Sequence, residues 1–138
     1  ALLAYFDIDP SVVQFIGTFG WNDPGLFTEP ALKGGIFAAP NPENWELFAD
    51  RFARTFGDQP PRISSLAYDS TALAALMARD ENNMSEAALT NTSGFVGVDG
   101  VFRLTPDGRS ERGYAIMQIG PEGAKVIAPA PASFDQVF

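Results

Sequence analysis

The chain contains neither cysteine nor histidine. Their absence removes disulfide frameworks, Cys/His zinc sites, Cys–His nucleophile pairs and any imidazole base. It leaves the redox compartment open, because a cysteine-free chain survives equally well in cytosol or periplasm. Positive charge is scarce, with nine Lys and Arg against seventeen Asp and Glu and a formal net charge of −8. Cations so few and so scattered predict no nucleic-acid partner and disfavour an anionic membrane surface. Catalytic signatures are missing too. Gly17-Thr-Phe-Gly20 and Gly94-Phe-Val-Gly97 have neither the spacing nor the lysine of a phosphate-binding loop. No G-x-S-x-G elbow and no S-x-x-K occurs, so a hydrolase has no nucleophile to stand on. The expectation is a non-enzyme with no cofactor and no metal. A basic leader and an initiating Met are also lacking, and Ala1 to Phe6 reads as the end of an apolar helix, so the sequence looks like a fragment of a longer protein.

What is present describes a globular protein: 138 residues, 46% hydrophobic and 19% charged, with no low-complexity run, enough for one domain around one core. The stretch Arg62 to Asp80 holds a single charge, Asp69, between its terminal Arg62 and Arg79. A helix apolar on nearly every face predicts a core helix covered on several sides. Pro60-Pro61 disfavours helix before it, and Ser64 or Ser65 can cap the start. Such a helix is too short and alanine-rich for a convincing membrane span. The clearest periodicity lies just upstream, where Trp45, Phe48, Ala49, Phe52, Ala53 and Phe56 recur at helical spacing, with Asn41 or Asn44 as cap and Gly57 as stop.

Strands bracket these helices. Val12 to Thr18 is a β-branched and aromatic run that predicts a strand buried on both faces, and Lys33 to Pro40 a second short strand closed by proline. Leu26 to Leu32 reads as a short helix or turn, and Ser85 caps a short helix over Glu86 to Leu89. In the last third, Gly100–Leu104, Gly113–Ile119 and Ala124–Ile127 predict two consecutive hairpins, an antiparallel meander. The proline-rich tail ends with Phe134 and Phe138, which predicts docking on a surface. The fold class expected is α/β, layered, with an appended antiparallel β-meander and no linker.

Three groups are candidates for function. Asp7-Ile8-Asp9 pairs two carboxylates, which suits acid/base work or a cation, although an acidic turn before Pro10 is the plainer account. Thr18, Phe19, Trp21 and Asn22 place aromatics and polar groups on the loop leaving the first strand's carboxyl end, where open α/β sheets bind ligands. The same aromatics could instead pack that loop on the core. Tyr68 and Asp69 are polar tips on an apolar helix, and a buried acid there reads as a structural anchor for the donors of an adjoining loop.

The order Gln14-Phe-Ile-Gly-Thr18, Gly34-Gly-Ile-Phe-Ala-Ala-Pro40, Phe48-Ala-Asp-Arg-Phe-Ala-Arg-Thr-Phe-Gly57, Pro60-Pro61, Ala67-Tyr-Asp-Ser70 and Gly94-Phe-Val-Gly-Val-Asp-Gly-Val-Phe-Arg-Leu-Thr-Pro-Asp-Gly108 resembles type I periplasmic solute-binding proteins. The likeness is to the branched-chain amino acid and penicillin-binding protein activator branches. It covers almost the whole chain and implies a C-terminal portion of a two-lobed protein. Residues 1–138 would then hold most of the second lobe and segments returning across the hinge, with the first lobe absent. It implies periplasmic location, lipid anchoring in the parent, and a small amino-acid-like or amide ligand held by Thr18, Phe19, Trp21, Asn22 and Tyr68. It implies an ABC permease as partner or, in the regulatory branch, a penicillin-binding protein. Phe19 stands where amino-acid binders of the family carry a glutamate, which opens the way to an aromatic or less polar ligand. If part of the fold is missing, apolar surface on the Arg62 to Asp80 helix should be exposed or covered by a second copy, making a homodimer.

Overall fold

A computed structural model describes residues 8–9, 12–79 and 85–136. These form two compact units instead of the single core that composition suggests: Ala1–Ala39 with Ala115–Pro129, and Pro40–Tyr114 with Ala130–Phe138. The first unit is a four-stranded sheet. Strand β1 (Ile16–Gly17) runs parallel to β2 (Ile36–Ala39), and β2 pairs antiparallel with β6 (Ala115–Gly120), which pairs in turn with β7 (Gly123–Ala128). Alternation along β6 sends Ala115, Met117 and Ile119 to one buried face, as the two-residue period of a strand requires. Opposite them in register, Phe37 faces Met117 and Ala39 faces Ala115, all buried. The short helix α1 (Pro24–Phe27), capped by Asp23, sets Phe27 over Phe37 with ring centroids 6.1 Å apart.

The expected first strand is much shorter. Only Ile16 and Gly17 pair, Ile16 is 76% exposed, and the amides of Val12 and Val13 donate to the Asp9 carbonyl in a turn. An edge strand with one neighbour has no second layer to bury a continuous apolar run.

In the second unit, helix α2 (Pro42–Phe56) follows the predicted signals. Asn41 accepts from the Glu43 amide, and Gly57 ends the helix in the left-handed region at φ 86°, the conformation glycine adopts most cheaply. Phe48 and Ala49 are buried, while Phe56 at the end of the stripe is exposed. Helix α3 (Ser64–Met77) departs from the expectation of a core helix. Its buried side chains are Ser65, Asp69 and Met77, whereas Ile63 before it and Leu66, Tyr68 and Leu76 within it are exposed. Neither candidate cap serves: Ile63 holds the cap position without a side-chain bond, and Ser65 lies inside the helix with its hydroxyl engaged elsewhere. The reason is the neighbour it packs on, a hairpin tip that offers polar groups. Ser85 does cap the short helix α4 (Glu86–Leu89) by accepting from the Ala88 amide.

The predicted meander is split between the units. Strand β4 (Gly100–Leu104) lies between β3 (Phe95–Gly97) and β5 (Ser110–Arg112) in its own three-stranded antiparallel sheet, and β6 belongs to the other sheet. Arg103 and Glu111 face each other across β4 and β5 and form an ion pair at 2.6 Å. The Arg103 guanidinium also lies 4.4 Å from the centre of the Phe134 ring, so the tail docks through that phenylalanine; Phe138 lies outside the described residues.

Gly97 is where α3 and the hairpin meet most closely: a Cβ there would sit 2.3 Å from Asp69 Oδ2 and 2.4 Å from its Cγ. Gly97→Ala should destabilise the chain by about 1–3 kcal/mol, read as a lower denaturant midpoint at unchanged slope.

Candidate functional site

Two groups of residues carry the polar and aromatic features of interest, one in each unit. In the first, β1 ends at Gly17 and the chain turns through Thr18 into a single 3-10 turn, Phe19–Trp21, closed by the Trp21 amide donating to Thr18 and the Asn22 amide to Phe19. Trp21 is half-buried with its indole against backbone: a Cβ on Gly17 would fall 2.1 Å from Trp21 Cδ2, and one on Gly35 2.8 Å from its Cζ3. The indole thus rests on Gly17 of β1 and on Gly35, the residue just before β2. Gln14 and Gln118 donate side-chain amides to the Gly34 carbonyl and steady the second of these strands at its start. Of the four candidates on this loop, Trp21 is the packed one; Thr18, Phe19 and Asn22 are exposed. The loop presents one ring and two hydrogen-bonding side chains on a fixed backbone.

Tyr68 belongs to the other unit. It is 47% exposed, and its ring meets Phe48 at 5.3 Å, continuing an aromatic row in which Phe48, Phe52 and Phe56 follow one another at 6.1 and 4.5 Å. Asp7 lies outside the described residues, and among these no cluster of three or more His, Cys, Asp or Glu could hold a metal ion.

Asp69 is 4% exposed, and its Oδ1 accepts the Val98 amide at 2.8 Å. Val98 and Asp99 form the two-residue tip between β3 and β4, where Gly97 faces Gly100. The tip returns the contact. Asp99, 5% exposed, accepts from Arg62 Nη2 at 2.7 Å through Oδ1 and from the Ser65 hydroxyl at 2.8 Å through Oδ2. Arg62 Nη1 donates to Ser65 Oγ at 2.9 Å, and the guanidinium lies 4.3 Å from the centre of the Trp45 ring. Ser65 is wholly buried, and its oxygen already receives an arginine N–H. It is a structural hydroxyl with no route to a substrate.

Arg62, Ser65 and Asp99 escaped the sequence reading because Ser65 and Asp99 are distant in the chain. The available signal was the spacing of Ser65 and Asp69, the helix's one acid, at i and i+4 on one face. Beside Asp69 lies a cavity of about 320 Å³ lined by Ala72, Leu73, Leu76, Phe95 and Phe102 among others. The Asp69 Oδ2 atom is buried and has no hydrogen-bond partner among the described residues.

No protein-family model matches the sequence, and no curated protein matches it. Solved structures do share its fold. A protein assigned as a branched-chain amino acid ABC transporter from Rhodospirillum rubrum aligns over 83% of this chain and 37% of its own, at 20% identity and a TM-score of 0.67. An extracellular ligand binding receptor from Desulfohalobium retbaense aligns over 91% and 23%, at 18% identity and a TM-score of 0.60. The branched-chain amino acid transporter substrate binding protein LivJ of Streptococcus pneumoniae, in complex with isoleucine, aligns over 93% and 40%, at 22% identity and a TM-score of 0.54. The chain therefore spans less than half the length of the proteins whose fold it shares.

Removing one partner of the hairpin clamp leaves the other buried and unpaired. Asp99→Ala should cost about 1–3 kcal/mol in chemical denaturation, with Ser65→Ala costing less. Equal and negligible effects from both would contradict the clamp.

Proposed function

We propose that this chain, whose fold is that of part of a type I periplasmic binding protein, belongs to a solute-binding component of an ABC-type transport system and performs no catalysis. The observation that carries this reading is the loop after β1. Its backbone is fixed by Trp21 on Gly17 and Gly35, and Thr18, Phe19 and Asn22 on it are exposed. A rigid turn with one aromatic face and two hydrogen-bonding groups suits an amino-acid-like or amide ligand with an apolar body, since little order must be gained on binding. In this reading the chain's three passages between its units, at Ala39–Pro40, Tyr114–Ala115 and Pro129–Ala130, are the hinge-returning segments. The working location is the periplasm, with lipid anchoring in the parent protein. The exposed apolar residues Ile63, Leu66 and Leu76 favour a second reading, a protein-interaction module of the penicillin-binding protein activator kind.

A thermal-shift panel of amino acids, small amides and aromatic acids separates the two. Under the first reading at least one class raises the melting temperature, by the equivalent of about 2.7 kcal/mol at a hundredfold excess over Kd. Phe19→Ala and Asn22→Ala should weaken that ligand, and Asn22→Ala, at an exposed side chain, should leave the unliganded melting temperature unchanged. No shift with any class, combined with capture of a transpeptidase, overturns the transport reading in favour of the second.

A further inference from the structure

We infer that Gln118 and Gln14 are positioning residues for the loop after β1 and act on it through the seat of Trp21. Their part in binding rests on the solute-binding reading, whereas the geometry stands without it. The two side chains converge on one backbone atom from 84 and 20 positions away in the chain. The Gly34 carbonyl accepts Gln118 Nε2 at 3.3 Å and Gln14 Nε2 at 3.0 Å. A carbonyl oxygen has two lone pairs, and no backbone amide among the described residues donates to this one. The glutamines are its donors.

What they hold is the peptide between two glycines. Gly34 sits at φ 83°, and neither it nor Gly35 has a side chain to restrict rotation. On the far side of that peptide the Gly35 amide donates to the Leu32 carbonyl at 2.9 Å. Gly35 is also part of the floor under the indole, where a Cβ would lie 2.8 Å from Trp21 Cζ3, so turning the peptide moves backbone against the ring or away from it. Gln14 donates as well to the Phe15 carbonyl at 3.1 Å, which accepts the Ile36 amide at 3.0 Å, and so ties the start of β1 to the start of β2. The two glutamines are not equal. Gln14 is exposed, where water competes for its donors, and Gln118 is half-buried, where a lost hydrogen bond costs more. Gln118 alternates along β6 with the buried Met117 and Ile119, so a change there leaves that buried face alone.

The test replaces Gln118 and Gln14 in the full chain by Gln118→Met and Gln14→Met, singly and together, which removes the donors at similar side-chain length. Two NMR readouts follow the seat: solvent exchange of the Gly35 amide, and the resonances of the Trp21 indole N–H and the Thr18 and Asn22 amides. Trp45 lies in the other unit and serves as the internal control. Gly35 exchange should quicken about fivefold in Gln118→Met, the equivalent of one lost hydrogen bond, less in Gln14→Met and most in the double variant. The Trp21 indole and loop amides should shift or broaden in the same order while the Trp45 indole stays in place. An unmoved Trp21 resonance in a folded double variant overturns the proposal, and so does an equal change at Trp45. If the double variant does not fold by circular dichroism, Gln118→Met decides on the same readouts, and loss of fold in that single variant makes the residue structural and overturns its positioning role. None of these readouts uses a ligand. An unresponsive ligand panel therefore counts against the solute-binding reading alone, and an unmoved Trp21 against the glutamines alone.

Discussion

The second unit depends on an exchange of hydrogen bonds between one helix face and one hairpin tip. Asp69 on α3 accepts from the tip's Val98 amide, and the tip's Asp99 accepts from Ser65 on α3 and from Arg62 just before it. Two acids buried so deeply are tolerable only with such donors. These bonds fix which face of the helix turns inward. Hydrophobicity alone could not choose, since leucines and alanines lie all around α3. The polar stripe at i and i+4 does choose, and Arg62 extends the arrangement to α2 by lying over Trp45.

That dependence explains what the sequence could and could not convey. Helix α2 was legible because its period, its Asn41 cap and its Gly57 stop are all local. Strand β2 was legible because glycines and a proline bound it. The burial of Val12 to Thr18 was misread because a β-branched run says nothing about how many neighbours a strand will have, and β1 has one. Strand β5 was invisible because Ser110-Glu111-Arg112 has no apolar alternation. Its place comes from pairing with β4, including the Arg103–Glu111 ion pair.

The candidate site divides along the same line. That Thr18, Phe19, Trp21 and Asn22 share a loop at the end of a strand followed from sequence. Which aromatic packs and which stays exposed did not, because the answer rests on Gly35, brought beside Gly17 only by the pairing of β1 with β2. The acidity of Asp69 was conspicuous in an apolar stretch, but its partners Val98 and the cavity beside it required the hairpin to be in place.

The seat of Trp21 on Gly17 and Gly35 ties three positions into one steric unit. A methyl at either glycine occupies space the indole now fills, so a lineage that drifts at one of the three must adjust another in the same step or lose the loop's shape. Positions 17, 21 and 35 should therefore vary jointly among diverged relatives, with a small residue at 21 wherever 17 or 35 has gained a side chain. A fold that persists at about one-fifth identity has had ample opportunity to record such linked changes.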